Sequence, residues 1–272
     1  MTPLPSLGGA ARRGRWPSPR DRALFLHFLR RELTSRYLGS VTGLAWALLA
    51  PLALLAVYDF VFTNVFKATS FAGASFLAFV AVALWPWLAA QEALMRGTLC
   101  LPGYAGMIRK VAFPHEIVVL ASVAATFALQ FAGYVGVLAV LAVAGQGIHV
   151  AGLALALYVW LVLLIAVAGL AFALSAVQVF VRDVEHVLAP ILMILMYLTP
   201  ILYPLSLVPE SLRGIVAANP FGWAVARLRD GLLDSRLALQ WGDALALGVA
   251  VLLFLAGRFV FARLSPHFED FV

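Results

Sequence analysis

Six long apolar runs divide the chain, at Val41–Phe66, Phe71–Ala90, Ile117–Ala144, Ala151–Phe180, Val187–Tyr203 and Asp243–Leu264. At about 1.5 Å of rise per helical residue each can cross a hydrocarbon core of about 30 Å, the short fifth run with help from its flanks. The fold class expected is an all-α membrane protein with six transmembrane helices. Ahead of the first run the pattern changes. Between Arg20 and Tyr37, Phe25, Leu26, Leu29, Leu33 and Tyr37 fall on one side of a helix, and Arg20, His27, Arg31 and Thr34 on the other. This segment, residues 20–38, is expected to lie flat on the cytoplasmic leaflet as an amphipathic interfacial helix. Residues 1–19 are rich in Pro, Gly and Arg, bury too little apolar surface to order themselves, and predict a disordered tail.

The rest of the chain, residues 39–272, is organised around the stretch Val181–Asp234. It opens on Arg182, Asp183, Glu185 and His186, enters the fifth apolar run, and meets Pro200 and Pro204 where that run should leave the hydrocarbon. Residues 206–241 follow. They are too many for a tight turn and too apolar for a solvated loop, with Leu207, Val208, Leu212, Phe221, Trp223, Val225, Leu228 and Leu232 spread along them. That segment should lie in, or dip into, the membrane interface. Residues 91–116 join the second and third runs and carry Arg96, Arg109 and Lys110 around a Pro102–Gly103 break; their length and helix-compatible pieces argue for a folded element.

Charge orients the runs. An even number of crossings puts both termini on one side. Lys and Arg before residue 41, within 91–116, and at Arg182, Arg258 and Arg263 outnumber Lys67, Arg213, Arg227, Arg229 and Arg236 on the other side by fourteen to five. The positive-inside bias therefore places both ends in the cytoplasm, and Glu210, Asp230, Asp234 and Asp243 offset the outer arginines. With 64% hydrophobic and 12% charged residues, the chain departs from soluble domains, which carry roughly 25% charge. The net charge of +6 reflects the membrane anchor rather than a nucleic-acid partner. A single cysteine, Cys100, excludes a disulfide within the chain and a cysteine-based metal site, and the five histidines are scattered.

Catalytic signatures are absent. The only lysines, Lys67 and Lys110, sit in no phosphate loop, and His115–Glu116 lacks the second histidine of a zinc-protease helix because position 119 is Val. Polar residues inside the apolar runs carry the remaining information, since an intramembrane charge must be paired or wet. Asp59 either reaches the outer interface or lines a channel. Gln130, near the middle of the third run, fits a polar lining or an interhelical hydrogen bond. Trp46, Tyr58, Trp85, Trp87, Tyr197 and Tyr203 read either as interfacial belts or as a pore whose flat faces let sugar rings slide past. Arg30, Arg31 and Arg36, just ahead of the first run, either anchor to anionic lipid or hold a pyrophosphate head bidentately.

Several stretches together carry a family likeness: RYLGSVTGLAWALLAPLALLAVYDFVF (Arg36–Phe62), KVAFPHEI (Lys110–Ile117), RDVEHVLAPILMILMYLTPILYP (Arg182–Pro204), NPFGWAVARLRDGLL (Asn219–Leu233) and the tail FEDFV. In their order and spacing the chain resembles the membrane subunit of ABC exporters of lipid-linked polysaccharides, such as O-antigen, capsule and teichoic-acid precursors. The resemblance covers almost everything after Arg30 and leaves residues 1–19 unexplained. It implies a permease homodimer in the bacterial inner membrane that translocates an undecaprenyl-linked glycan. Each copy is paired with a separate nucleotide-binding ATPase that binds ATP and Mg, and this chain holds no cofactor. The resemblance further implies that residues 91–116, with Arg96, Arg109 and Lys110, dock on that ATPase together with Arg182 and Asp183. Ser206–Leu233 would form outer re-entrant helices, and the 20–38 helix a gate or interfacial element. An ABC efflux permease for a drug or other small molecule is the nearest alternative. A membrane-embedded glycosyltransferase needs paired carboxylates or a metal site. The closest pair here, Asp183 and Glu185, reads as a charge cluster favoured by a helix N-terminus.

Overall fold

The computed structural model describes residues 19–35, 49, 52–65, 67, 70–71, 74–110, 113–217 and 219–271. Its first helix, α1, spans Pro19–Ser35, with proline where no N–H is needed and Asp21 in the first turn against the helix dipole. Pro19, expected in the tail, thus belongs to the helix; residues 1–18 and Arg36, Tyr37 and Trp46 lie outside the described residues. On α1 the face turned to the protein centres on Phe28, which is buried, while Leu26, expected on the same apolar side as Phe25, is 60% exposed. Two residues of helix carry Leu26 to the far side of the axis from Phe28.

The first apolar run is described as α2 (Leu52–Val65), whose last part, Phe60–Val65, widens to a π-helix. A short hairpin of β1 (Ser70–Phe71) and β2 (Ala74–Ser75) then leads into α3 (Phe76–Leu99). This helix begins and ends later than the run Phe71–Ala90. Ser75 supplies its cap, accepting the Ala78 N–H at 3.2 Å. Beyond Ala90, Glu92 and Arg96 pair one turn apart, so the polar residues extend the helix rather than end it. After a 3-10 turn at Leu101–Tyr104 come α4 (Ala105–Ile108), α5 (Glu116–Val143), α6 (Leu153–Phe180), α7 (Val184–Leu198), α8 (Glu210–Ala217), α9 (Pro220–Leu232), α10 (Trp241–Leu264) and α11 (Phe268–Phe271).

Among the described residues four helical segments are long and apolar enough to cross a membrane: Phe76–Leu99, Glu116–Val143, Val150–Phe180 and Trp241–His267. The chain is an all-α membrane protein. Helices α2 and α7 are apolar but shorter; the 15 residues of α7 rise only about 22 Å. Its end is dictated locally, because Thr199 precedes Pro200 and turns extended at φ −89°, ψ 131°.

Helix α3 is the axis of the fold, packed against α5, α6, α7 and α9. Trp85 and Trp87, expected at an interface or in a pore, are instead buried in this core. Antiparallel α3 and α5 are pinned where Tyr134 Oη donates to the Val82 carbonyl and Trp85 Nε1 to the Gln130 carbonyl, both at 3.0 Å. Helix α10 runs parallel to α6 and meets it along a glycine seam. A Cβ on Gly169 would stand 2.5 Å from the Leu253 carbonyl, and one on Gly257 would overlap the Gly169 carbonyl oxygen. Such backbone approach is the membrane substitute for a hydrophobic driving force.

The helix directions sort the connections into two ends. At one, which we term the aromatic end, Phe28 of α1 meets Tyr104 and Phe113, His115 stacks on Phe268, and Phe180 packs against Phe268 and Phe271. The opposite, arginine end gathers the 144–152 link and the 199–240 segment, joined where His149 N–H donates to the Leu232 carbonyl at 2.8 Å.

Candidate functional site

Three polar constellations stand out from the apolar bundle. The first lies on the α3–α5 flank. Glu92 Oε1 accepts from Arg96 Nε at 2.7 Å, and its Oε2 accepts from Gln130 Nε2 at 2.6 Å. One turn away, Trp87 Nε1 donates to Gln91 Oε1 at 3.1 Å. Gln130 therefore makes the interhelical bond that its position suggested. Glu92 escaped notice, although Glu92 and Arg96 at i and i+4 directly after an apolar run were readable as a pair. Arg96 belongs to α3 and this seam rather than to the turn that carries Arg109 and Lys110. The side chains of Arg96 and Glu92 are 48% and 32% exposed, in the last two turns of α3.

The second constellation holds the arginine end together. Arg227, 2% exposed, donates through Nε to Asp243 Oδ1 at 2.8 Å and through Nη2 to Asp243 Oδ2 at 2.9 Å, a fork on a carboxylate that is itself buried. Its remaining bonds reach Asp230 Oδ2 at 3.0 Å and the Ala238 carbonyl at 2.9 Å. Asp243 also caps α10 by accepting the Gln240 N–H, and accepts from Trp223 Nε1. Burial works against the Arg227 charge, but the hydrogen bonds and charges of Asp243 and Asp230 outweigh it and raise the guanidinium pKa. Arg229 meets no carboxylate among the described residues. It lies 3.4 Å from the Phe79 ring centroid and donates to the carbonyls of Phe79, Pro200 and Ile201, tying α9 to the start of α3 and to the break after α7. Burial pulls it down to about 9, which leaves it protonated at neutral pH. Sequence placed Arg227 and Arg229 among outer charges offset by acids. The structure instead buries Arg227 and half-buries Arg229, because α9 packs Ala224, Val225, Leu228 and Leu232 into the bundle and carries the arginines toward it.

The aromatic end is the third. Tyr104 Oη donates to Glu32 Oε1 at 2.8 Å, and Arg31 lies 5.0 Å from the Tyr104 ring centroid, so α1 is fastened to the turn after α3. Burial, then the bond to Glu32, pushes the Tyr104 phenol above its ordinary value. Arg109 and Lys110 are exposed just past α4, and Arg182 and Asp183 are exposed on the α6–α7 turn, so the fold brings these four to one end. Gln178 shapes that turn, donating to the Arg182 carbonyl and accepting the Glu185 N–H that opens α7. Arg30 is exposed on α1; Arg36 lies outside the described residues.

The aromatic lining candidates fall elsewhere. Tyr58 lies on α2 and Tyr197 on α7, and Tyr203 Oη donates to the Tyr197 carbonyl at 2.7 Å. Asp59 accepts from Thr63 at 3.3 Å within α2. Tyr58 and Asp59 thus belong to α2, Tyr197 and Tyr203 to the end of α7 and the turn after it, and Gln130 to the α3–α5 seam.

Residues 23–233, from α1 through α9, match the ABC-2 type transporter family. The chain belongs to the ABC-2 type transporter family. Among its ABC-2 relatives, the O-antigen export system permease protein RfbA of Myxococcus xanthus is 28% identical over 251 residues, covering 92% of this chain and 95% of the relative. An O-antigen export system permease protein RfbA of Klebsiella pneumoniae is 25% identical over 247 residues, 88% of this chain and 91% of the relative. The chain is thus an ABC-2 membrane permease, and the ABC-2 match takes in both the α1–Tyr104 junction and the arginines of α9.

Proposed function

We propose that this permease is the membrane subunit of an ATP-driven exporter that moves an undecaprenyl-linked polysaccharide, O-antigen or a similar polymer, across the inner membrane. The observation carrying this reading is likeness along most of the chain to two relatives named as O-antigen export permeases, with 88% and 92% of this chain aligned. Two copies enclose the channel. In each, α2 and α7 complete six crossings, and α8 and α9 form an outer re-entrant pair. The positive-inside bias supports a cytoplasmic aromatic end with both termini there.

Arg109, Lys110, Arg182 and Asp183 then face a separate nucleotide-binding subunit that binds ATP and Mg; this chain has no phosphate loop. Arg30, Arg31 and Arg36 take the pyrophosphate head at the cytoplasmic interface, and the contact of α1 with Tyr104 ties that head-group site to the turn nearest the ATPase. Trp46, Tyr58, Asp59, Gln130, Tyr197 and Tyr203 line the path. The test is reconstitution with the cognate ATPase in vesicles, with lectin detection of glycan delivered across the bilayer. Delivery should require both subunits and ATP, and the permease alone should hydrolyse none. ATPase stimulation by a small amphiphilic drug, with no response to lipid-linked glycan, would replace this reading with small-molecule efflux.

A further inference from the structure

Helix α7 begins without help from the side chain placed to cap it. The N–H groups of its first turn are all taken: Val184 donates to the Val181 carbonyl at 3.3 Å, Glu185 to Gln178 Oε1 at 3.2 Å, and His186 and Val187 to the Asp183 carbonyl at 3.0 and 3.2 Å. An aspartate at this position ordinarily accepts one of these through its carboxylate, from an extended backbone. Asp183 instead has helical angles, φ −72° and ψ −9°, and its side chain makes no cap bond.

The capping is done from the preceding helix. Gln178 lies in the last turn of α6, 5% exposed, and its Nε2 donates to the Arg182 carbonyl at 3.1 Å while its Oε1 takes the Glu185 N–H. One amide thus donates on one side of the turn and accepts on the other, which neither a carboxylate nor a hydrocarbon side chain can do. Between these two anchored points the chain presents Arg182 and Asp183, both exposed, a cation beside an anion. The buried amide relieves the Asp183 carboxylate of work inside the chain and fixes the backbone that carries it.

We propose that Gln178 is the positioning residue of an ATPase contact, holding Arg182 and Asp183 in place for a surface of the nucleotide-binding subunit that offers an acid and a base side by side. The proposal rests on the export reading, in which this turn faces the ATPase, and adds to it the residue that shapes the turn.

The test titrates the cognate ATPase subunit onto the full-length permease in lipid nanodiscs and reads glycan-stimulated ATP hydrolysis. Gln178→Met, similar in length but unable to make either bond, should raise the half-saturating ATPase concentration about fivefold and leave the plateau in place. A purely structural loss would lower the plateau through fewer folded complexes without moving the half-point. Gln178→Asn, too short to span both groups, stands in where Gln178→Met does not fold. Asp183→Asn should raise the half-point by a similar factor in the parent, and by less than about twofold once Gln178 is replaced, because the carboxylate is then no longer held for docking. Asp183→Asn alone should keep the thermal midpoint of the parent. A half-point unmoved by the Gln178 change, or two effects that multiply in full, overturns the positioning role. A lowered midpoint in Asp183→Asn overturns it as well, by making Asp183 the cap. With unmoved variants and a parent complex that still exports glycan, the export reading survives; a parent permease that never engages the ATPase ends both.

Discussion

Removing Arg227 should leave Asp243 as an uncompensated buried carboxylate. The two side chains are 2% and 3% exposed and share two bonds of 2.8 and 2.9 Å, so little solvent can replace the lost partner. Breaking one side of such a pair costs about 3–5 kcal/mol. The Gln240 N–H and Trp223 Nε1 still donate to Asp243, which puts Arg227→Met near the lower figure, about 3 kcal/mol. Asp243→Asn in the same chain removes the stranded charge and keeps one amide oxygen to accept from one of the two donors. The double variant should therefore be more stable than the sum of the singles by about 1.5–3 kcal/mol, roughly ten- to a hundredfold in the folding equilibrium. Reversible unfolding in mixed dodecyl maltoside–SDS micelles, followed by tryptophan fluorescence across a four-member cycle, measures this coupling. Additivity within about 0.5 kcal/mol would refute the claim that the pair acts as one buried unit.

Three further outcomes are expected. Gly257→Ala should lower the yield of monodisperse permease on size exclusion, because its Cβ meets the Gly169 carbonyl and overpacking costs about 1–3 kcal/mol or more; Gly248→Ala, with open space around it, should be neutral. In right-side-out vesicles Ser211→Cys on α8 should react with an impermeant maleimide from outside while Cys100 stays protected, and the reverse pattern would invert the topology. Replacing Arg109 and Lys110 together by Glu should abolish surface glycan in a complementation assay while the permease is still inserted and dimeric; normal export would remove these charges from the coupling.

The local elements were legible because their causes are local. Helix α7 ends at Leu198 for a reason written in Thr199–Pro200, and Gln130 was readable as a polar lining or an interhelical bond because an amide at mid-membrane needs water or a partner. Leu26 and Trp85 were misjudged for a shared reason. A lone helix or run shows which residues are apolar but not which neighbour covers them, and α3 is covered on nearly every side.

The all-α membrane class and the family likeness were readable from the chain alone, since apolar runs of membrane-crossing length and X–Pro helix ends are local signals. Only the tertiary structure decided that Arg227 and Asp243 form a buried fork, that Arg229 is satisfied by carbonyls instead of a carboxylate, and that Glu92 holds Arg96 and Gln130 together. Partners 16, 29 and 38 positions apart in the chain meet only after packing. Whether a charge ends in water or in the core is set by the helices that close around it.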